Sequence, residues 1–348
     1  MIKYLGSKRT LIPTLTTLAA ASGASTALDL FTGTTRVAKA FKSLGIHVTA
    51  ADIASYSEIF AKTWIELDAD RVDQKSLSEA LAELSSLPGE PGYFTETFCV
   101  DARFFQPENG ARVDAIRTKI ESDFKGTDLY NPLLTSLILA ADRVDSTTGL
   151  QMAFLKTWAR RSFNKLEMRN PELLSGPGRA IRGDALELAK ALPEVELAYL
   201  DPPYNQHRYF SNYHIWESLV RWDKPESYGI ANKRLDARSP ENKSPFNSKK
   251  TMPAAIEKLI QDVNAQTMVL SYNNESWLSK DDLIAMCEKR GHVEVVDVDF
   301  KRYVGSQIGV YNKKGQKVGT PGAKRNVEHI VIAGEKATVK RMVDSVKD

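Results

Sequence analysis

The sequence lacks most of the features that would place it outside ordinary globular proteins. It has only two cysteines, Cys99 and Cys287, and no CxxC or HExxH spacing. These absences exclude a disulfide framework and the common zinc sites, so no metal is expected and a reducing, cytoplasmic location is favoured. No apolar run approaches the roughly 18 residues that a membrane span requires. The segment 11–21 is interrupted by Pro13 and several threonines, so an amphipathic helix is expected there and not a secretory signal.

Short apolar runs rich in β-branched residues alternate with helical patterns, which is typical of parallel strands joined by crossover helices. Four such runs are Thr26–Phe31, His47–Asp52, Val195–Asp201 and Thr267–Tyr272. Two later runs, Val293–Phe300 and Glu328–Ala333, are separated by a Gly- and Lys-rich stretch from Gly305 to Asn326, which indicates a long hairpin connection. The sequence therefore predicts an α/β fold whose mostly parallel sheet ends in antiparallel strands.

The spacing of the strands is uneven, because the second ends near Asp52 and the next begins near Arg179. The intervening stretch of about 125 residues is mostly helical in pattern and too long for a crossover loop. It predicts an inserted module at 55–178 within a domain formed by 1–54 and 179–348. Its expected helices are Ser57–Leu67, Val113–Phe124 and Asn131–Val144.

The first strand runs into a helix through a Gly/Thr turn, Asp29-Leu30-Phe31-Thr32-Gly33-Thr34-Thr35. Gly33 lets the backbone approach a ligand, and Thr34 and Thr35 are expected to cap the helix. A dinucleotide site would show three glycines here, so a cofactor without phosphates fits better. Asp52 ends the second strand, where a carboxylate can bind the hydroxyls of a ribose. Asp184 repeats this arrangement after the strand near Arg179.

The tetrapeptide Asp201-Pro202-Pro203-Tyr204 follows a buried strand. Its two prolines remove backbone donors, so local carbonyls remain able to accept hydrogen bonds. The Asp201 carboxylate and the Pro202 carbonyl can together accept both N–H groups of a planar amino group and direct its nitrogen at a methyl sulfonium. Tyr204 supplies an aromatic face for stacking an extruded base, worth about 1–3 kcal/mol.

These blocks together resemble the alpha-class, Dam-type adenine-specific DNA methyltransferases, in the order that the family has them. Ile2-Lys3-Tyr4-Leu5-Gly6-Ser7-Lys8-Arg9 is similar to the family's N-terminal cofactor block, with Tyr4 and Lys8 at the contacting positions. Asp29 to Gly33 resembles its Phe-x-Gly turn, Asp52 its ribose carboxylate, and Asp201 to Tyr204 its catalytic tetrapeptide. The chain departs from the family pattern where a second glycine often follows Gly33, and the flanks of Asp184 match it loosely.

The resemblance implies a Rossmann-like class I fold that binds S-adenosyl-L-methionine and methylates the amino group of adenine in double-stranded DNA. It places cofactor contacts at Tyr4, Lys8, Asp29, Phe31, Gly33, Thr34, Thr35, Asp52, Asp184 and Asp201, and catalysis at Asp201, Pro202, Pro203 and Tyr204. In this family the DNA-recognition domain lies between the ribose carboxylate and the catalytic tetrapeptide, which is where the inserted module falls. A restriction endonuclease acting on the same DNA site is a further expected partner.

The net charge of +3 does not by itself indicate nucleic acid, but charge is clustered. Segments 156–182, 224–250 and 301–325 each hold seven Lys or Arg, which can neutralise phosphates. The stretch His207–Tyr213 is expected to form a lip over an extruded base. Three alternatives stay open: a methyltransferase acting on adenine in RNA, one acting on protein glutamine, and a catalytically silent DNA-binding module. Methylation of the cytosine amino group is also possible, although serine usually replaces Asp201 in that branch.

Overall fold

A seven-stranded mixed sheet forms the centre of the computed structural model, which describes residues 1–301 and 325–347. Its strands are β1 (Thr26–Asp29), β2 (His47–Asp52), β3 (Arg179–Arg182), β4 (Val195–Leu200), β7 (Ala265–Asn273), β8 (His292–Lys301) and β9 (Arg325–Gly334), while β5 (Ser227–Tyr228) and β6 (Lys233–Arg234) form a separate hairpin.

The strand order is β3-β2-β1-β4-β7-β9-β8. Neighbours from β3 to β7 are parallel, whereas β9 is antiparallel to both β7 and β8. The predicted α/β class with antiparallel C-terminal strands is therefore confirmed. The first predicted strand is two residues too long, because β1 ends at Asp29. The predicted hairpin connection, apart from the backbone of Arg325 and from Asn326, lies outside the described residues, as do the side chains of the basic run 301–325.

Helices cover both faces of the sheet. They are α1 (Ile12–Ser22), α2 (Arg36–Lys42), α3 (Ser55–Ala61), α4 (Gln74–Ser86), α5 (Tyr93–Thr95), α6 (Pro107–Lys119), α7 (Tyr130–Arg143), α8 (Ala185–Ala191), α9 (Tyr209–Asn212), α10 (His214–Arg221), α11 (Met252–Asp262), α12 (Lys280–Cys287) and α13 (Lys336–Asp344). Pro13 lies in the first turn of α1, where its missing N–H has no helical partner to lose. Across the described part of the chain, no helix combines the length and apolarity that crossing a membrane demands.

Short turns of other helical types extend or connect these elements. The 3₁₀ turns are Lys8–Thr10, Ala69–Arg71, Arg160–Phe163, Leu235–Arg238, Pro240–Asn242, Pro245–Asn247 and Glu288–Arg290, and the π turns are Lys62–Glu66, Glu96–Val100 and Ile120–Phe124. The predicted helix 57–67 corresponds to α3 with its π turn, 113–124 to α6 with its π turn, and 131–144 to α7. Helix α6 begins earlier than predicted because Pro107 starts it from the favoured first position.

The strands bury both faces, since alternate side chains point to opposite sides of a sheet. In β4, Leu197 and Tyr199 join the core under α1, α2 and α13, whereas Ala198 and Leu200 join the core under α8, α11 and α12. The result is a three-layer α/β/α arrangement, and each fully buried large apolar side chain contributes about 1.5–3 kcal/mol.

The helical segment between β2 and β3 shares the core of the sheet. Its first helix, α3, packs on β2, β3 and α7. Trp64, Phe104 and Leu137 belong to the same apolar cluster as Val48 of β2. The indole N–H of Trp64 donates a 2.8 Å hydrogen bond to the carbonyl of Pro171, near the end of the segment. The boundaries 55–178 and the recognition role of this segment stay predictions.

Candidate active site

The acidic ends of three neighbouring strands meet at one edge of the sheet. Asp29 ends β1, Asp52 ends β2 and Asp201 directly follows β4, and these strands are parallel neighbours in the order β2-β1-β4. The chain continues from β1 to β2 on one side, whereas β4 lies on the other. Open α/β sheets bind ligands at such a switch point, beyond the carboxyl ends of the strands.

Two cavities open at this edge and share a wall. They enclose about 1060 and 990 Å³ of empty space, both partly open to solvent. Leu5, Gly6, Pro203 and Tyr209 line both. The first cavity is further lined by Tyr4, Phe31, Asp52, Ile53, Asp184, Asp201 and Phe246, and the second by Lys8, Tyr204, Asn273, Glu275, Asn326 and Glu328. Pro203 thus stands between two compartments, as a reaction between two bound molecules requires.

Asp29 organises the turn after β1. Its Oδ2 accepts a 2.9 Å hydrogen bond from the Thr32 hydroxyl and a 3.2 Å bond from the Ala38 N–H in the first turn of α2. Asp29 therefore caps α2, and the expectation that Thr34 and Thr35 cap it is wrong: both are buried, and the Thr35 hydroxyl donates instead to the Thr34 carbonyl. Burial raises the pKa of Asp29 to about 7.

Gly33 and Tyr4 are in close contact, and Tyr4, but not Gly33, lines the first cavity. Gly33 has φ +49°, and a Cβ there would lie 3.1 Å from Tyr4 Cε1. The Tyr4 ring stacks on Tyr213 with centroids 4.6 Å apart, and Tyr209 lies 5.3 Å away. The sequence predicts that the stretch His207–Tyr213 forms a lip over an extruded base. For Tyr213, its last residue, this expectation is wrong, because the side chain is buried beneath Tyr4.

Asp52 ties β2 to the turn after β1. Its Oδ2 accepts a 2.9 Å bond from the Gly33 N–H, and its Oδ1 accepts a 3.0 Å bond from the Ala54 N–H. Burial raises the pKa of Asp52, while these backbone donors oppose the rise. The neighbouring Ile53 is 57% exposed although it lines the cavity. Sequence reasoning missed Ile53, whose only signal was an apolar residue directly after a strand-end acid.

Asp184 and Phe31 complete the first cavity. Asp184 is the N-cap of α8, where its Oδ1 accepts from the N–H groups of Leu186 and Glu187. Phe31 meets Phe246 edge-on with centroids 5.4 Å apart, and Phe246 comes from the segment after β6. No local pattern places residues 241–247 at this cavity, because more than 200 positions separate them from Phe31.

The chemistry of the first cavity fits S-adenosyl-L-methionine. Asp52 and Asp184 offer carboxylates for hydroxyl and amino donors, and Ile53 and Phe31 offer apolar surface for a flat ring. Within the described residues, Asp29 Oδ1 is buried without a hydrogen-bond partner. Asp29 itself lines neither cavity, and its link to the site is the turn that it organises.

Asp201 lies where the two cavities meet. Burial raises its pKa to about 6, with Lys8 lowering it and Glu328 raising it. Pro202 is buried and Pro203 faces both cavities. Tyr204 lines the second cavity, where its ring meets Tyr272 edge-on at 5.8 Å.

Lys8, expected among the cofactor contacts, lines the second cavity. Its Nζ lies 2.8 Å from Asp201 Oδ1 and 2.6 Å from Glu328 Oε1. Despite burial, these two carboxylates hold the pKa of Lys8 well above its usual value. Glu328 was not found from the sequence, although an acid inside the apolar run of β9 was a signal that it has a buried partner.

The basic segments divide into paired and exposed side chains. Arg234 is 1% exposed and forms 2.7 Å ion pairs with Asp223 and Asp236, so it cannot contact phosphates in this fold. Arg161 pairs with Asp145 at 2.6 Å. In contrast, Lys156, Arg160, Lys165 and Arg179 have exposed side chains. Arg169 is exposed as well but pairs with Glu167 at 3.0 Å.

Comparison with known proteins agrees with this geometry. Residues 4–286 match the model of a family described as D12 class N6 adenine-specific DNA methyltransferase. Modification methylase StsI of Streptococcus sanguinis is 31% identical over 329 residues, which cover 88% of this chain but only 50% of that protein. The chain thus spans half the length of that relative.

Two further proteins resemble this chain, one much more closely in sequence than the other. Type II methyltransferase M.NlaIII of Neisseria lactamica is 30% identical over 297 residues, covering 82% of this chain and 86% of that protein. A solved structure, a putative SAM-dependent methyltransferase from Streptococcus mutans, covers 95% of this chain and 50% of that one at 11% identity, but its TM-score of 0.33 carries no argument.

Proposed function

The chain belongs to the D12 class N6 adenine-specific DNA methyltransferase family, and from this membership we propose that it methylates the exocyclic amino group of a specific adenine in double-stranded DNA. The observation that carries the proposal is the position of Asp201, beside the wall that two cavities share. The first cavity would hold the methyl donor and the second the adenine.

S-adenosyl-L-methionine supplies an electrophilic methyl group on a sulfonium centre. We assign its ribose to Asp52, the amino group of its adenine to Asp184, and the face of that ring to Ile53, all of which line the first cavity. Tyr4 stacks over the Gly33 turn and closes the floor. Asp29 lies behind this turn and holds it to the first turn of α2.

In the second cavity the target adenine would stack on Tyr204 after leaving the duplex. Extrusion of a base costs a few kcal/mol, which such stacking repays in part. The Asp201 carboxylate and the Pro202 carbonyl accept the two N–H groups, so that the nitrogen lone pair develops toward the first cavity. As the new N–C bond forms, the methyl–sulfur bond would break with its electron pair left on sulfur, and Asp201 would accept the proton that the amino group loses. A pKa of about 6 keeps Asp201 ionised at neutral pH and still able to take that proton.

We further propose that exposed cations of segment 156–182, among them Lys156, Arg160 and Lys165, neutralise DNA phosphates. This places DNA against the segment 55–178, as expected for a recognition module. Because relatives such as StsI bear the name modification methylase, the biological role proposed is protection of a DNA site from a restriction endonuclease.

The test is methyl transfer from radiolabelled S-adenosyl-L-methionine to duplex DNA and, in parallel, to ribosomal RNA and to bulk protein, with mass spectrometry of the product nucleosides. We expect N6-methyladenine in DNA, lost in Asp201→Ala and retained in Asp281→Asn, an exposed acid on α12. Label only in RNA or protein, or activity that survives Asp201→Ala, would overturn the proposal.

A further inference from the structure

Glu328 is a buried carboxylate that lies one contact away from Asp201. It is 2% exposed and sits on β9, 320 residues from Lys8, whose ammonium it binds at 2.6 Å. Lys8 in turn contacts Asp201 Oδ1 at 2.8 Å. Burying a charged group carries a large desolvation penalty, which is offset only where the charge has close, well-placed partners.

Neighbouring side chains hold Glu328 in one position. The Ser271 hydroxyl donates to its Oε1 at 2.7 Å and the Asn273 amide donates to its Oε2 at 3.3 Å. Both donors come from β7, and Asn273 is the register partner of Glu328 in the antiparallel β7–β9 pair. Glu328 is therefore held by the sheet as well as by Lys8.

We propose that Glu328 is a positioning residue for methyl transfer, which holds the Lys8 ammonium on one oxygen of Asp201 and so leaves the other oxygen to the target amino group. The inference rests on the proposed function. If Glu328 were absent, Asp201 would be the only carboxylate partner of the Lys8 ammonium among the described residues. The ammonium would then draw on both oxygens of Asp201.

The three charges also sum to −1 beside the reacting nitrogen. Lys8 and Glu328 line the second cavity, Asp201 lines the first beside the shared wall, and the amino nitrogen becomes cationic as the N–C bond forms. Fixed charges aimed at developing charge are among the largest contributions to enzymatic rates. A Lys8–Asp201 pair alone would be neutral and would not supply this stabilisation.

The arrangement makes a prediction about pH dependence that a purely structural ion pair does not make. Other titratable groups coupled to Lys8, Asp201 or Glu328 are Tyr199 on β4, Tyr204 and Tyr209 after it, and Asp29 on β1. Glu275 after β7 acts on Tyr204. Glu328 raises the pKa of Asp201 and Lys8 lowers it. Removing the charge of Glu328 should therefore move the acid limb of the pH–activity profile to lower pH, and removing the charge of Lys8 should move it to higher pH.

The experiment compares wild type, Glu328→Gln, Lys8→Gln and the double variant in steady-state DNA methylation across about pH 5–8. For Glu328→Gln we expect kcat to fall about tenfold to hundredfold, with an acid limb at lower pH than in wild type. Lys8→Gln should move the limb to higher pH, and the double variant should lie between the two. Affinity for S-adenosyl-L-methionine, measured by calorimetry, should be unchanged in Glu328→Gln, because Glu328 does not line the first cavity.

Glu294→Gln on β8 is the matched control, since it removes the same charge at a half-buried position where the carboxylate contacts His292. It should keep wild-type kcat and pH profile. If Glu328→Gln retains wild-type kcat, or loses activity without the acid limb moving, the proposal is wrong. The same holds if both single variants move the limb in one direction. A wild-type chain that fails to methylate DNA would instead refute the proposed function, so the two failures are distinguishable.

Discussion

Replacing Gly33 with alanine should weaken cofactor binding much more than it weakens the fold. Gly33 has φ +49° and Gly45, in the exposed turn after α2, has φ +81°. A left-handed conformation costs a non-glycine residue about 1–2 kcal/mol, and the lower entropy of the unfolded chain offsets about 0.4–1 kcal/mol of this. Each variant should therefore lose about 1 kcal/mol, which for a chain of 348 residues lowers Tm by about 1–2 °C.

Only Gly33→Ala introduces a new contact. Its Cβ would lie 3.1 Å from Tyr4 Cε1 and 3.3 Å from Tyr4 Oη, whereas a Cβ at Gly45 meets no atom within 4 Å among the described residues. The Tyr4 ring is backed by Tyr213 at 4.6 Å, so it yields sideways and changes the floor of the first cavity. We expect Kd for S-adenosyl-L-methionine to rise about tenfold, equivalent to ~1.4 kcal/mol.

Isothermal titration of both variants, with Tm measured in the absence of cofactor, separates the two effects. Gly45→Ala should bind the cofactor as wild type does and show the same small loss in Tm. If the two variants bind the cofactor equally well, then the contact between Gly33 and Tyr4 does not shape the cofactor site, and the assignment of the first cavity fails.

Two further variants probe the same cavity. Ile53→Ala should raise Kd for S-adenosyl-L-methionine about tenfold through lost apolar contact. Tm should change little, because Ile53 is 57% exposed. The control Leu44→Ala, at an exposed position outside the cavity, should change neither Kd nor Tm, and equal binding by both variants would contradict the role of Ile53. Burial raises the pKa of Asp29 to about 7, so the native state binds this proton more tightly than the unfolded chain and loses stability as pH rises from the unfolded value toward 7. Asp29→Asn removes that loss. The free energy of unfolding measured in urea should therefore rise in the variant relative to wild type by up to about 2–3 kcal/mol between about pH 5 and 8. A difference between the two proteins that stays constant with pH would refute a raised pKa.

The strands and their acidic ends were predictable because both depend on short-range patterns. Apolar runs bury both faces of the sheet, and each of Asp29, Asp52 and Asp201 follows such a run directly. The parallel sheet then brings these carboxylates to one edge without further information. Thr34 and Thr35 show the limit of local reasoning: their residue types favour a cap, but the buried Asp29 carboxylate reaches the first turn of α2 and takes that place.

Local patterns predict an α/β sheet, its antiparallel C-terminal end and the three carboxylates at its edge, since each of these follows from residues close together in the chain. The folded structure alone shows that Lys8 faces the second cavity, that Glu328 holds it, and that Arg234 is a buried structural cation. A charge can be buried only where partners surround it, so its burial depends on where those partners lie. The partners of Lys8 and Glu328 come from β7, β9, the N-terminal segment and the residue after β4, which are adjacent only after the strands have taken the order β4-β7-β9. Arg234 differs, because its partners Asp223 and Asp236 lie close to it in the chain.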